Sequence, residues 1–308
     1  DEKDFEIINA GLTLSICNIV RQLDKNIPII LASSSQVELD NKYGKSKLKA
    51  EKALKELEID TNCSVYIYRL PGVFGKWSRP DYNSVVATFC YNISHGLPIQ
   101  INNPSHELTL VYIDDVVKEF VSIIQYKKVG SINFSIQPEY KIKLSELAKQ
   151  LQCFHKSRHT LISERVGTGF IRKLYSTYVS YIPPKKFSYS IPAYIDERGR
   201  FAEILKTKDS GQISFFTAKP GITRGGHYHH SKTEKFLVVK GKARFRFRHV
   251  IINKTYELLT TDKDLKIVET VPGWSHDITN VGNEEMIVML WANEIFDHDN
   301  NDTIVQRL

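Results

Sequence analysis

The feature that most restricts the fold is a change of texture at Pro183-Pro184. Before it, apolar residues recur at helical spacing or run in short uninterrupted blocks. After it, short strand-like stretches alternate with Gly, Asp and Asn turns, and no long amphipathic helix occurs. A chain with this break reads as two domains, 1–184 and 185–308, which suits a length of 308 residues.

The first part orders as helix, strand, helix, strand. Residues 4–25 carry Phe5, Ile8, Leu12, Ile16, Ile19 and Leu23 at helical spacing, and Ile29-Ile30-Leu31-Ala32 reads as a buried parallel strand. Residues 43–58 read as a helix and Ser64–Leu70 as the next strand, ended by Pro71-Gly72. Helices are expected over 81–95 and 114–126, and more helices and connectors over 131–180. This order indicates βαβ units. The second part, with strands expected at Gln212–Ala218, Lys235–Val239, Ala243–Val250, Leu265–Thr270 and Met286–Trp291, argues for an antiparallel sandwich or barrel.

Bulk properties exclude several classes. No apolar run approaches the ~20 residues of a membrane helix, and no signal peptide precedes the first helical segment. Cys17, Cys63, Cys90 and Cys153 form no pair motif, which fits a reduced, cytoplasmic setting. The net charge of +7 and pI of about 9.0 admit nucleic acid as a partner, but no DNA- or RNA-binding motif accompanies them. A cationic surface equally suits a diphosphate.

Two constellations carry chemistry. Tyr43-Gly44-Lys45-Ser46-Lys47 sets Tyr43 and Lys47 on one helix face. An ammonium beside a phenol favours the phenolate, so Tyr43 can give a proton to a carbonyl as hydride arrives. Ser34 or Ser35, at the end of the preceding strand, can hold the same oxygen. Alone, Tyr-x3-Lys is weak; its place between two parallel-type strands strengthens it.

The second constellation is Gly221-x5-His227-x-His229-x4-Glu234-x6-Gly241, followed by Pro272-Gly273-Trp274-Ser275-His276-x3-Asn280. Residues i and i+2 of a strand share a side. His227 and His229, with Glu234 and His276 from other strands, give a nitrogen and oxygen ligand set suited to zinc or another divalent ion. His230 turns away by the same alternation, and His249 has no partner spacing. Lys242, Arg244, Arg246 and Arg248 alternate with Ala243, Phe245 and Phe247, so one face of that strand is cationic.

The first constellation, with Arg69-Leu70-Pro71-Gly72-Val73-Phe74-Gly75 and Leu110–Val117, resembles the extended short-chain dehydrogenases/reductases. The second matches both cupin motifs. Asp196–Glu203 and Gly221–Tyr228 resemble cupin-type nucleotide-sugar epimerases, in whose metal-free members the position of His227 is the base; here it stands open as ligand or base. Over essentially the whole chain the combination resembles the CapF-type bifunctional enzymes of capsular-polysaccharide and O-antigen biosynthesis. Tyr66–Arg69, Phe74–Trp77, Tyr82–Val85, Leu174–Tyr178, Glu234–Val239 and Trp291–Glu294 carry that likeness.

The resemblance implies a partial Rossmann-like reductase domain followed by an all-β cupin barrel. It implies Ser34, Tyr43 and Lys47 as the catalytic trio, with Tyr43, Lys47, Arg69 and Gly72 toward NADPH. It implies Asn83, Arg198, Arg224 and Lys235 as substrate contacts. The family acts on a UDP-4-keto-6-deoxy-N-acetylhexosamine, epimerising C3 in the cupin half and reducing the C4 ketone in the other, towards UDP-N-acetyl-L-fucosamine. A cytoplasmic homodimer without nucleic-acid or membrane partners is expected. The alternative is a metal-binding cupin sugar isomerase, or a sugar-binding protein, with an inactive reductase-like dimerisation module. The family's Gly-rich phosphate turn has no counterpart here, and roughly 60 residues, two βα units, would be expected ahead of Asp1. Without them, NADPH oxidation is not expected of this length of chain.

Overall fold

The computed structural model describes residues 5–23, 25, 27–126 and 134–308. The chain divides into two compact units: residues through Leu151 with Arg172–Pro183, and Gln152–Ile171 with Pro184–Leu308. The expected helix over 4–25 and the connectors over 131–180 each include positions outside the described residues.

In the first unit a π-turn at Glu6–Gly11 runs into helix α1 (Leu12–Leu23). Strand β1 (Ile29–Ser34) follows, then a 3-10 turn (Ser35–Glu38), helix α2 (Lys42–Thr61) and strand β2 (Val65–Leu70). β1 and β2 pair in parallel, with Ile29 opposite Val65 and Ser34 opposite Leu70. Cys17 and Val20 of α1 pack on Ala53, Leu54 and Leu57 of α2 and on Val65 and Ile67 of β2. The apolar spacing of both helices is thus the interface that covers the strands.

β3 (Gly72–Phe74) pairs in parallel with β4 (Glu107–Tyr112), and β4 pairs antiparallel with β5 (Tyr140–Lys143). Helix α3 spans Val85–His95, shorter than the expected 81–95. Ser84 caps it by accepting from the Ala87 N–H, and Asp81 has a positive φ of 54°, so the segment before it is turn. Helix α4 (Ile113–Tyr126) follows β4 directly. Helices α5 (Leu144–Thr160) and α6 (Gly169–Val179) complete the helices, with the short strand β6 (Ile162–Ser163) between them. β6 pairs in parallel with Lys206 and Thr207, which ties 152–171 to the second unit.

The second unit is two packed sheets. One has the order β13 (Thr255–Thr261), β12 (Lys242–His249), β15 (Trp274–Asn280), β10 (Thr223–Tyr228), β17 (Ile304–Val305). The other has the order β14 (Ile267–Glu269), β11 (Glu234–Lys240), β16 (Met286–Ala292), β9 (Gly211–Ala218), β8 (Gly199–Thr207), β6, with β7 (Tyr194–Asp196) on β8. Phe216, Phe236, Val238, Phe245, Phe247, Ile278 and Val288 fill the space between them. All five expected strands are present. β7, β8, β13 and β17 were not anticipated; β10 (TRGGHY) and β15 (WSHDITN) were expected only through the ligand motif, since they hold few apolar residues to betray a period of two, and His229 lies just past the end of β10 rather than on it.

Candidate functional site

The first candidate cluster sits at the C-terminal end of β1. Asn41 caps α2 by accepting from the Gly44 N–H at 2.6 Å. A Cβ on Gly44 would lie 2.1 Å from the Gln36 carbonyl oxygen, so only glycine lets α2 start against the 3-10 turn. That approach brings Tyr43 and Lys47 to β1. The Lys47 Nζ donates to the Ala32 carbonyl at 3.2 Å and lies 5.8 Å from the Tyr43 ring centroid. Burial pulls the Lys47 pKa below its ordinary value. Ser34 is buried and its hydroxyl accepts from the Gln36 N–H at 3.1 Å, whereas Ser35 is exposed.

Arg69 is committed elsewhere. Its Nη2 and Nε donate to the Glu51 carboxylate at 2.8 and 3.1 Å, and the Ser33 hydroxyl donates to the same group at 2.6 Å. Glu51 has no exposed surface; burial pushes its pKa up, and the Arg69 and Ser33 hydrogen bonds hold it below the usual carboxylate range. Ser33 and Glu51 were missed in the sequence, where Glu51 looks like one more charge on a charged helix. Gly72 opens β3, where a Cβ would meet Leu110 Cδ2 at 2.9 Å, and Asn83 is exposed ahead of α3.

The second candidate site lies between the two sheets. His227, His229, Glu234 and His276 offer ligand atoms all within 4.8 Å of one another. His227 of β10 stands opposite His276 of β15 in register, and Glu234 opens β11 on the facing sheet. The Glu234 Oε2 lies 3.3 Å from both His229 Nε2 and His276 Nε2. Its Oε1 lies 3.3 Å from the Nζ of the buried Lys232. Burial pushes the Glu234 pKa up, but His229, His276 and Lys232 hold the carboxyl well below its ordinary range, so it is anionic.

Both rings turn Nε2 toward that carboxylate. His229 Nδ1 contacts the Asp302 carbonyl, and His276 Nδ1 lies 3.3 Å from the Trp274 carbonyl. A carbonyl only accepts, so in both rings Nδ1 carries a proton, and Nε2 is the nitrogen left to face Glu234 and to ligate a metal. His276 Nε2 is buried without a hydrogen bond of acceptable geometry. Two imidazole nitrogens and a carboxylate oxygen gathered within 4.8 Å of one another form a donor set that fits a divalent first-row ion. His227 differs: among the described residues its ring has no hydrogen-bonding partner in the way the other two do. Burial and the neighbouring His276 lower its pKa to about 4, so its imidazole is neutral near pH 7.

These residues line a cavity of about 150 Å³ together with Arg224, Phe216 and Phe236. The Arg224 Nε donates to the Thr217 carbonyl at 3.0 Å, and the guanidinium lies 5.1 Å from the Phe216 ring centroid. Arg198 holds Asp196 through Nε at 2.9 Å and Nη2 at 2.5 Å, which takes the Asp196 pKa down to about 2. Arg224 also contributes to that drop, so both guanidiniums stand within electrostatic reach of Asp196. Lys235 is not brought to the cavity: alternation along β11 sends it to the face opposite Glu234, where it pairs with Glu269 at 2.6 Å. His230 is exposed, and His249 accepts from the N–H groups of Ile251 and Ile252.

Residues 3–136 match the NAD dependent epimerase/dehydratase family, and residues 194–304 the polysaccharide biosynthesis C-terminal domain. The chain is 56% identical over 301 residues to the UDP-2-acetamido-2,6-beta-L-arabino-hexul-4-ose reductase of Pseudomonas aeruginosa, covering 98% of this chain and 81% of that protein. The crystal structure of the capsular polysaccharide assembling protein CapF from Staphylococcus aureus superposes with a TM-score of 0.90 at 40% identity, covering 96% of this chain and 80% of that one. A UDP-glucose 4-epimerase of Vibrio cholerae is 26% identical over 113 residues, 36% of this chain and 33% of that protein.

Proposed function

This chain belongs to the CapF-type family of UDP-sugar reductases and epimerases, and from that membership we propose that it epimerises C3 of a UDP-4-keto-6-deoxy-N-acetylhexosamine and serves reduction of the C4 ketone with NADPH, towards UDP-N-acetyl-L-fucosamine. The observation that carries the epimerase half is the convergence of His229, Glu234 and His276 beside a neutral, unpartnered His227 in one cavity.

His229, Glu234 and His276 would hold a divalent ion, zinc or a neighbour of zinc, which when bound would supply Lewis acidity that polarises the ketone and acidifies the adjacent C–H. Among the described residues nothing hydrogen-bonds the His227 ring to orient it as a ligand, and its neutral ring is ready to accept a proton. It removes the C3 proton, and a solvent-derived proton delivered to the opposite face of the planar enolate completes the inversion. A cavity of about 150 Å³ is below the ~300–1,000 Å³ of sites that enclose a whole ligand, so only the reacting edge of the sugar enters. Arg224 at the cavity wall, with Arg198 beside it, meets the diphosphate.

Tyr43 and Lys47 fit the nicotinamide end of the dinucleotide. Ala32 takes one of the three ammonium hydrogens of Lys47, which leaves donors for ribose hydroxyls. When bound, NADPH would supply the hydride for C4; Tyr43 would give the proton to the oxygen while Ser34 or Ser35 holds it. A cytoplasmic setting, where nucleotide sugars are made, goes with this reading. Among the described residues no helix is long and apolar enough to cross a membrane. A homodimer completes the reading, checked by sedimentation at micromolar concentration.

The deciding experiment follows deuterium from solvent into C3 by NMR, beside elemental analysis of the protein. His227→Ala should keep its metal and lose exchange; His276→Ala should lose both. Metal lost with His227→Ala would make His227 a ligand instead, and exchange surviving in both variants would overturn the site.

A further inference from the structure

The C-terminal segment reaches back over the strand that carries the histidines. Val305 and Ile304 pair with His227 and Tyr228, and the Gln306 N–H donates to the Gly226 carbonyl at 2.9 Å. The Ser275 hydroxyl contacts the Gln306 carbonyl, and Arg248 Nη2 donates to the Arg307 carbonyl at 2.6 Å. At the head of this strap stands Asp302, which holds the turn between two of the proposed ligands. Its carboxylate accepts from the N–H groups of His230, Ser231 and Lys232 at 2.9, 2.6 and 2.8 Å, and from the Ser231 hydroxyl at 2.9 Å. Those three N–H groups are consecutive, so one carboxylate sets the path of the chain from His229 toward Glu234.

We propose that Asp302 is a positioning residue of the metal centre, acting through both of its ends. Its backbone carbonyl accepts from His229 Nδ1, which leaves His229 Nε2 as the nitrogen aimed at Glu234. Its carboxylate seats the turn that buries Lys232, whose Nζ lies 3.3 Å from the Glu234 Oε1 and 5.7 Å from the Phe296 ring centroid. With Oε1 held by Lys232, Oε2 is the oxygen presented to the two imidazoles. Charge supports the arrangement: burial raises the Asp302 pKa, but the three backbone donors hold it far below the usual carboxylate range, so the strap stays anionic at its head. One residue, 73 positions from His229, thereby fixes the tautomer of one ligand and the usable oxygen of another.

The inference rests on the reading of His229, Glu234 and His276 as metal ligands, and its test separates the two. Zinc affinity is measured by chelator competition, and the His229 tautomer by 15N NMR on metal-free protein, for the parent, Asp302→Ala, Asp302→Asn and Asp264→Ala. Asp264 is the control: its carboxylate likewise accepts from a backbone N–H and a hydroxyl, both of Thr261, but away from the site. Asp302→Ala should weaken zinc about 10–100-fold, as loss of an outer-shell partner does, and give His229 a mixed tautomer. Asp302→Asn, which keeps an acceptor oxygen, should fall between and decides the case if the alanine variant does not fold. Asp264→Ala should leave both readouts at the parent value. Parent-like zinc binding with an unchanged Nδ1–H tautomer in Asp302→Asn and Asp302→Ala would overturn the proposal, as would equal losses in Asp264→Ala. A parent that binds no zinc would remove the metal reading, while the tautomer shift would still report the strap.

Discussion

Arg224 and His227 line the same cavity although they are three residues apart on one strand. Strict alternation would put them on opposite faces. The register of β10 on β15 shifts between Gly225 and His227, and that one-residue bulge returns both side chains to the inside. The two glycines make it feasible. Gly225 and Gly226 have φ of 96° and 81°, and a Cβ on Gly225 would lie 2.9 Å from the His276 carbonyl oxygen.

Gly225→Ala should therefore damage the site more than the fold. A side chain there meets both strain of about 1–3 kcal/mol and the backbone of the strand that carries His276. Gly221→Ala is the comparison: φ is 77° but nothing lies within 4 Å of the added Cβ. It should cost about 1–2 kcal/mol in a urea titration and keep its metal. Gly225→Ala should lose more stability and most of its metal by elemental analysis.

Arg224→Gln should leave metal content unchanged and weaken substrate. A charge-assisted hydrogen bond contributes about 1.5–3 kcal/mol, so KM for the UDP sugar should rise about tenfold or more. The Thr217 carbonyl and the Phe216 ring hold Arg224 in place in the free protein, so the guanidinium is set before substrate arrives. Steady-state exchange rates across substrate concentration read the effect.

The sequence disclosed what is local. His227, His229 and Glu234 fall within eight residues, and His276 has its own flanking motif, so the donor set was legible before the fold was known. The order of β1, α2 and β2 was legible from apolar spacing, and the Tyr43–Lys47 pair with it. What escaped depends on contacts that spacing cannot encode. The bulge at Gly225 and Gly226 is a property of pairing with β15. Asp302 acts across 73 residues on His229, and Glu51 meets Arg69 and Ser33 across 18. Lys235 fell on the wrong face for substrate because alternation along β11 already commits Glu234 inward.

Glu51 sets an acid limit on the first unit. Its folded pKa is depressed, so its contribution is present above the unfolded value of about 4.3 and is lost as pH falls through the lower folded value. Glu51→Gln removes the buried charge facing Arg69. It should cost about 3 kcal/mol or less near neutral pH, because Arg69 keeps access to water. It should also flatten the loss of stability on acidification. Hydrogen exchange at the β1 and β2 amides, in parent and variant near pH 7 and below about pH 4, reads this; equal acid sensitivity in the two would refute it.

The last expectation separates the two chemistries and chooses between two serines. On the proposed reading Tyr43 serves only the hydride step; Lys47 is held against the Ala32 carbonyl, 5.8 Å from the Tyr43 ring centroid. In a protein that also carries the cofactor-binding βα units expected ahead of Asp1, Tyr43→Phe should reduce NADPH oxidation about 10²–10⁴-fold, the usual loss for a general acid, and leave C3 deuterium exchange intact. Ser34 and Ser35 predict different phenotypes. Ser34→Ala removes the acceptor for the Gln36 N–H and should cost about 0.5–2 kcal/mol as a lost cap. Ser35 is exposed and Ser35→Ala should be neutral to stability. If Ser34 holds the C4 oxygen, reduction falls in Ser34→Ala and not in Ser35→Ala, and Ser34→Thr, which keeps the hydroxyl, should recover part of it. Reduction lost only in Ser35→Ala would move the role one residue along the turn. Exchange lost in Tyr43→Phe would mean that both steps depend on one site, contrary to two separate centres.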